Sequence, residues 1–360
     1  MQGAFEVPLF TDSRFTGAFT AGYGPYQFLN AVSPLDKTMR AALFLRADWF
    51  LVFQEDKEIK TKEEHYHGGW LADEAAALAS LCLGVRLKAG SVSREFGADD
   101  PKGRPRGWDE YQPTLNINTN NQNRLVVPSA EDDQRSLTDL APLPSLPSLS
   151  PEAAGALIRV ARLYQNALWI CESEPELSWL LIVAAVETAA GFWRPGTEEP
   201  VEKLKASRPK LEPLLLKAGG PQLLELVAAE IAPYMGATKK FIDFMGEFLP
   251  PPPQIRPCES AQHSWGGKPL RDTLQCVYNY RSRALHGGTP FPSPMCRPPM
   301  KFEGEYEEKP IGLAAGNGTH NWVAKDIPIH LHTFEYMVRG ALLRWWGSLA
   351  SQSVSAEQTW

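Results

Sequence analysis

"LSWLLIVAAVETAAGFW", residues 177–193, is the most apolar run in the chain, and its reading decides the fold. It is either a membrane span or the central helix of a bundle. A span needs about 20 apolar residues; this run is slightly short and is interrupted by Glu187. The buried helix is the better reading, and a buried helix needs amphipathic neighbours to cover it. The flanking sequence supplies them. Leu157, Val160, Ala161, Tyr164 and Leu168 recur at spacings of three and four, which makes one apolar stripe. That helix has a marked start, with Ser150 as N-cap, Pro151 at the first helical position and Glu152 beside it. Further helices are expected in "PQLLELVAAEIAPYM" (221–235), "KKFIDFMGEFLP" (239–250), "LRDTLQCVYNYRSRALH" (270–286) and "IHLHTFEYMVRGALLRWWGSLA" (329–350). "SQSVSAEQTW" (351–360) reads as a frayed tail.

Upstream the text changes. Residues 1–140 mix strand and helix signals: "AALFLRADWFLVFQ" (41–54) reads as one or two strands, and "RLVVP" (124–128) as a short one. "ADEAAALASLCLG" (72–84) has helical composition with a terminal glycine. "GADDPKGRPRGWDE" (97–110) and "NINTNNQN" (116–123) read as exposed loops, and "EDD" (131–133) as a solvated turn. "APLPSLPSLSP" (141–151) is the clearest boundary, because proline every few residues argues against helix and central strand alike and predicts an extended spacer. The expected organisation is α+β: a mixed domain over 1–140, a Pro-rich linker over 141–151, an all-helical bundle over 152–350 and a tail. Between the last two helices, residues 287–328 form a long Pro/Gly-rich loop, a length usually functional or disordered.

With 43% hydrophobic and 22% charged residues the chain can bury a core. A net charge of -6 excludes a broad basic surface for coating nucleic acid, so any RNA contact must be a local cationic pocket. The cysteines at 82, 171, 258, 276 and 296 form no CxxC pair, which excludes a standard zinc ribbon and fits reduced thiols in cytoplasm. The N-terminus has no basic region followed by an apolar core, so no signal peptide is expected, and no membrane partner. No Walker A loop, GxGxxG or GxSxG motif is present. His65 with His67, and His330 with His332, lack acidic or cysteine neighbours to complete a metal site and read as surface or capping residues. No cofactor or metal is expected.

Chemistry concentrates in "YNYRSRALHGG" (278–288). Basic residues and two glycines are what a helix C-terminus favours in any case. Arg281 and His286 lie about 140° apart on an ideal helix, whereas Arg283 and His286 share a face. Glu187 adds weight, as the one charged residue between Leu177 and Trp193. A carboxylate on a buried helix needs a cation, and Arg281 or Arg283 is the natural partner if the two helices pack together. Such a pair also has a plain structural use, fixing helix register.

"YRSRALHG" resembles the Arg-x4–6-His signature of HEPN domains, and its flanks resemble the Apea-like HEPN group. "LIVAAVETAA", "IAPYMGATKKFIDFMGEFLP" and "HLHTFEYMVRGALLRWW" support the resemblance in the same order along residues 150–350. It implies a helical bundle that dimerises and brings two Arg–His motifs into one cleft. It further implies a metal-independent endoribonuclease, a toxin or antiphage-defence effector, restrained by an antitoxin or released by a phage-derived trigger. His286 would move the proton of the ribose 2′-OH or of the leaving oxygen, and Arg281 would stabilise the phosphorane. Glu187, Ser282, Arg283 and Tyr280 would support them. Ser282 stands where the family often has Asn, Asp or His. The alternative implied by the same resemblance is a non-catalytic nucleotide- or partner-binding module.

Overall fold

Alternation builds the N-terminal sheet. In β1 (Gln2–Thr11) Phe5, Val7 and Leu9 are buried while Glu6, Pro8 and Phe10 are only partly so, the period of two that one covered face demands. The structure is a computed structural model and describes residues 2–19, 26–30, 40–50, 66–97, 99–100, 102–105, 111–115, 125–130, 134–194, 199–232 and 235–357. After the two-residue β2 (Phe15–Thr16), strands β3 (Tyr26–Asn30) and β4 (Arg40–Phe50) complete one side of the sheet. β4 runs antiparallel to β1, from Gln2 opposite Phe50 to Thr11 opposite Arg40, with an irregularity at Leu9/Phe10. α1 (Leu71–Leu83) leads into β5 (Lys88–Ala89), β6 (Arg94–Phe96) and β7 (Arg104–Pro105). The path is β3-β4-β1-β6-β7, with β5 also on β1. β7 falls inside the stretch expected to be a loop; 51–54, 116–123, 131–133 and His65 lie outside the described residues.

α1 is almost entirely buried, and its alanines let neighbouring backbones approach closely. It ends at Gly84 in the left-handed region (φ 68°). A Cβ there would sit 2.7 Å from Arg339 Nε, whose guanidinium donates to the carbonyls of Leu81 (3.0 Å) and Cys82. A side chain from the far end of the sequence thus satisfies carbonyls that the helix cannot.

Two sequence readings are corrected here. Of the expected strand 124–128, the described residues 125–128 are not a strand: the N–H groups of Val126 and Val127 donate to the Glu172 carboxylate (2.8 and 3.2 Å), leaving them nothing to give a ladder. Residues 141–151 are not an extended spacer. After β8 (Arg135–Ser136), parallel to β2, the chain forms 3-10 turns over Leu137–Leu140 and Leu143–Ser148. A 3-10 helix has three residues per turn, so Leu137, Leu140, Leu143, Leu146 and Leu149 all face inward and are buried, with prolines left to the outside. Trp346 Nε1 donates to Ser145 Oγ (3.0 Å) and fastens the segment to the last helix.

The helical region is α2 (Pro151–Ile170), α3 (Pro175–Trp193), α4 (Pro200–Ser207), α5 (Leu211–Ile231), α6 (Ala237–Phe248), α7 (Gly267–Gly287) and α8 (Leu331–Glu357). Ser150 caps α2 through Ala153 N–H (3.2 Å). α3 is long and apolar enough by composition to cross a membrane, yet it packs against α2, α6, α7 and α8. Its Trp179 is stacked between Phe291 (5.2 Å) and Phe334 (4.9 Å). α5 breaks at Gly220 (φ 70°, ψ -166°), and with α4 it builds a small cluster of its own around Leu204, Leu224 and Ala228. α8 continues through Glu357, so the expected frayed tail is helical for most of its length. The region is not all-helical either: β9 (Lys301–Phe302) pairs with β10 (Glu305–Tyr306), and β11 (Ala314–Gly316) with β12 (Asn321–Val323), inside the 287–328 loop.

The mixed α+β fold is joined by a buried polar knot. Arg86 has no exposure; its Nε and Nη2 donate to Asp12 Oδ2 (2.8 and 2.5 Å), and its Nη1 donates to Glu172 Oε1 (3.3 Å). Three segments, the end of β1, the end of α1 and the end of α2, meet there. One continuous buried cluster runs from Val7 and Leu45 of the sheet to Trp179, Trp345 and Trp346 of the bundle. Replacing Arg86 with Met leaves two buried carboxylates without a cation, so denaturant unfolding of the full chain is expected to show a loss of about 3–5 kcal/mol.

Candidate functional site

α7 carries its inward face on Leu270, Thr273, Leu274, Val277 and Tyr278, and helical spacing extends that face to Arg281. Opposite it lies α3, whose Glu187 is the polar position in an apolar run. The two meet. Arg281 Nη2 donates to Glu187 Oε2 (2.5 Å), and the Tyr278 hydroxyl donates to Glu187 Oε1 (2.8 Å). Both side chains of the ion pair are about one-fifth exposed (20% and 19%), so the pair is shielded but within reach of solvent. The Tyr278 hydroxyl is pushed up to about 12, first by burial and then by the neighbouring Glu187 carboxylate. Arg281 Nε is buried with no hydrogen-bond partner among the described residues. The guanidinium is therefore aimed, but not saturated.

A second group sits on the next turn. Tyr280 donates to the carbonyl of Asp326 (2.7 Å) and packs on Phe291 (5.9 Å). The Arg283 guanidinium lies 4.4 Å from the Tyr280 ring centroid, a cation–π contact on an exposed side chain. Burial raises the Tyr280 hydroxyl to about 12. Ser282 is half-buried and makes no side-chain hydrogen bond to a described residue. His286 is exposed on the last turn, where Gly288 (φ 63°) stops the helix and returns its N–H to the Arg283 carbonyl. The imidazole has no hydrogen-bond partner among the described residues.

The structure thus brings together Glu187, Arg281 and Tyr278, and separately Tyr280 and Arg283. It does not bring His286 to Arg281 within one chain: one is turned to the bundle, the other to solvent. Chemically, an oriented guanidinium can hold an anion, and a free imidazole can exchange a proton. Tyr278, not Tyr280, is the tyrosine that touches the pair; its place three residues before Arg281 on the same helical face was the available signal.

The other histidines fall elsewhere. His67 lies 3.8 Å from Glu74. His330 and His332 are not surface residues, though His330 does stand at the start of α8, its carbonyl accepting from Phe334 N–H (3.1 Å): the His330 ring is buried against Glu307 Oε1 (3.0 Å), and His332 Nε2 donates to the Glu307 carbonyl (2.7 Å). His332 is thus held by the loop that precedes α8. It is pushed down to about 3, first by loss of hydration and then by the neighbouring His330. Among the described residues no three His, Cys, Asp or Glu side chains are arranged to hold a metal ion.

No family model, no curated protein and no solved structure matches the chain.

Two outcomes are expected. Glu187→Ala strands Arg281 and Tyr278 together and should cost about 1–3 kcal/mol, with Glu187→Gln recovering part of it; a double-mutant cycle with Tyr278→Phe should show coupling. Below pH 6.5 the unfolded chain takes up a proton at His332 that the folded chain resists down to about 3. Stability at this site is therefore present above pH 6.5 and is lost as pH falls across that window. The stability of His332→Gln should depend less steeply on pH between 6.5 and 3 than that of the wild type, read by unfolding at fixed pH steps.

Proposed function

We propose that the chain is a metal-independent endoribonuclease of HEPN type, a toxin or antiphage-defence effector that cuts RNA at a site composed from two copies. The observation that carries the reading is the Glu187–Tyr278 brace on Arg281, which holds one partly exposed cation in place at the end of α7. A helix that merely ends needs no such brace. His286, exposed five residues further on, supplies an imidazole.

Because Arg281 and His286 face different ways, the two groups meet when a second copy apposes its own α7. One imidazole takes the proton of the ribose 2′-OH, whose oxygen attacks the phosphorus. The Arg281 guanidinium stabilises the charge on the phosphorane. The second imidazole, protonated, gives its proton to the departing 5′ oxygen. The bond from phosphorus to that oxygen breaks, and a 2′,3′-cyclic phosphate and a 5′-OH remain. The protein's net charge of -6 suits a local anion site better than wholesale nucleic-acid binding. The separation of His286 from Arg281 within one chain favours a second reading, a non-catalytic module that binds a nucleotide or a partner.

Purified chain incubated with single-stranded RNA is expected to leave 5′-OH ends, unaffected by EDTA. His286→Ala should lower the rate about 10²–10⁴-fold while the protein keeps its fold and oligomeric state. Arg281→Ala should fall further than Arg283→Ala. EDTA-sensitive cutting, or full activity in the histidine variant, rejects the nuclease.

A further inference from the structure

Past Gly288 the chain crosses the end of α7 as "TPFPS" (289–293), and the β11–β12 hairpin returns to the same place. Between them lies a cavity of about 540 Å³. Its surfaces are flat and aromatic. Phe291, 2% exposed, is held from behind by Trp179, and Tyr280 is held by its bond to the Asp326 carbonyl. Trp322 is half-buried, with the His320 ring 6.1 Å away and tilted by 33°. Arg283 borders the same cavity with its charge exposed.

The polar groups are few and unevenly used. Ser293 Oγ, on the cavity wall, is buried with no hydrogen-bond partner among the described residues. A buried hydroxyl left in that state is unfavourable unless a ligand completes it. The Asn317 carbonyl oxygen already accepts from Thr319 N, Thr319 Oγ and His320 N, so only its amide donor is left for a ligand. Asp326 and Glu176, both acidic, are also among the lining residues.

We propose that this cavity binds one unpaired nucleobase of an RNA strand, guanine in preference to the others; the proposal rests on the RNA-cleaving reading above and names what sets its sequence preference. The half-buried Trp322 and the exposed His320 are the rings with a face to offer a base. A cation at the mouth meets the adjoining phosphate. Guanine alone among the four bases presents two neighbouring N–H donors, N1–H and N2–H, which a single carboxylate such as Asp326 accepts together. Arg283 lies on α7 with Arg281 and His286, so the base site and the proposed cleavage site share one helix.

The test separates binding from cutting. Four oligonucleotides, 2′-O-methylated throughout and differing only in one central base, are titrated against the full-length chain by fluorescence anisotropy. Cut sites on unmodified RNA are mapped in parallel. The guanine oligonucleotide should bind tightest. Trp322→Ala should weaken it about 10-fold, within the range of one base–aromatic stack. Asp326→Asn, a nearly isosteric change that guards against misfolding, should bring the guanine oligonucleotide down to the affinity of the other three. RNA cut without base selectivity, or affinities unmoved by both substitutions, overturns the base site and leaves the nuclease. Guanine-selective binding without any cutting supports the base site and overturns the nuclease.

Discussion

A guanidinium sealed from water at Arg86 is the constraint around which the molecule is arranged. Burying that charge is unfavourable unless it is met by anions at hydrogen-bond distance. Asp12 comes from the end of the first strand and Glu172 from the end of α2. Glu172 is also spent on two backbone N–H groups at Val126 and Val127. One carboxylate thereby fixes an irregular segment, a helix end and the sheet. α3 starts at Pro175, three residues after Glu172. The position of Glu187, and through it of Arg281, is set by a helix whose start is anchored beside this knot.

The two ion pairs illustrate different economies. At Arg86 the pair is all but sealed, 0% and 3% exposed, and its mutual attraction must offset the lost hydration of its charges. At Arg281 about a fifth of each partner is exposed, and Nε has no hydrogen-bond partner among the described residues. A saturated pair at the second place would be a better clasp and a poorer anion receptor. Aromatic packing lets the loop of 289–326 stand close to it: Trp179 and Tyr280 both bear on Phe291.

Much of the helical region was legible because its signals are local. The stripe from Leu157 to Leu168 and the Ser150–Pro151 start are read within one element, and both are present. Glu187 was legible for another reason: a lone carboxylate in an apolar run must find a cation, and the candidates were few. The misreadings were non-local or masked. In 124–128, β-branched residues suggest a strand, but their N–H groups were claimed by a carboxylate 45 and 46 residues away. In 137–149 a leucine at every third position is the imprint of a 3-10 helix, and the prolines drew attention from it. His330 and His332 look like surface residues until Glu307 arrives from a loop that sequence patterns could not place. The same loop carries Ser293, His320, Trp322 and Asp326, so the cavity beside Arg283 left no trace in any single motif.

The continuity of the buried cluster has a consequence for how such a chain can change over generations. Proteins assembled from separable cassettes can trade a front half for a new one by recombination at the joint. Here the joint contributes Leu140, Leu143 and Leu146 to the shared interior, and Arg339 of the last helix finishes α1. A crossover near residue 145 would leave unmatched apolar faces on both fragments. A change at the joint would thus disturb more packing than a change in the rim loops, where the cavity-lining hairpin stands.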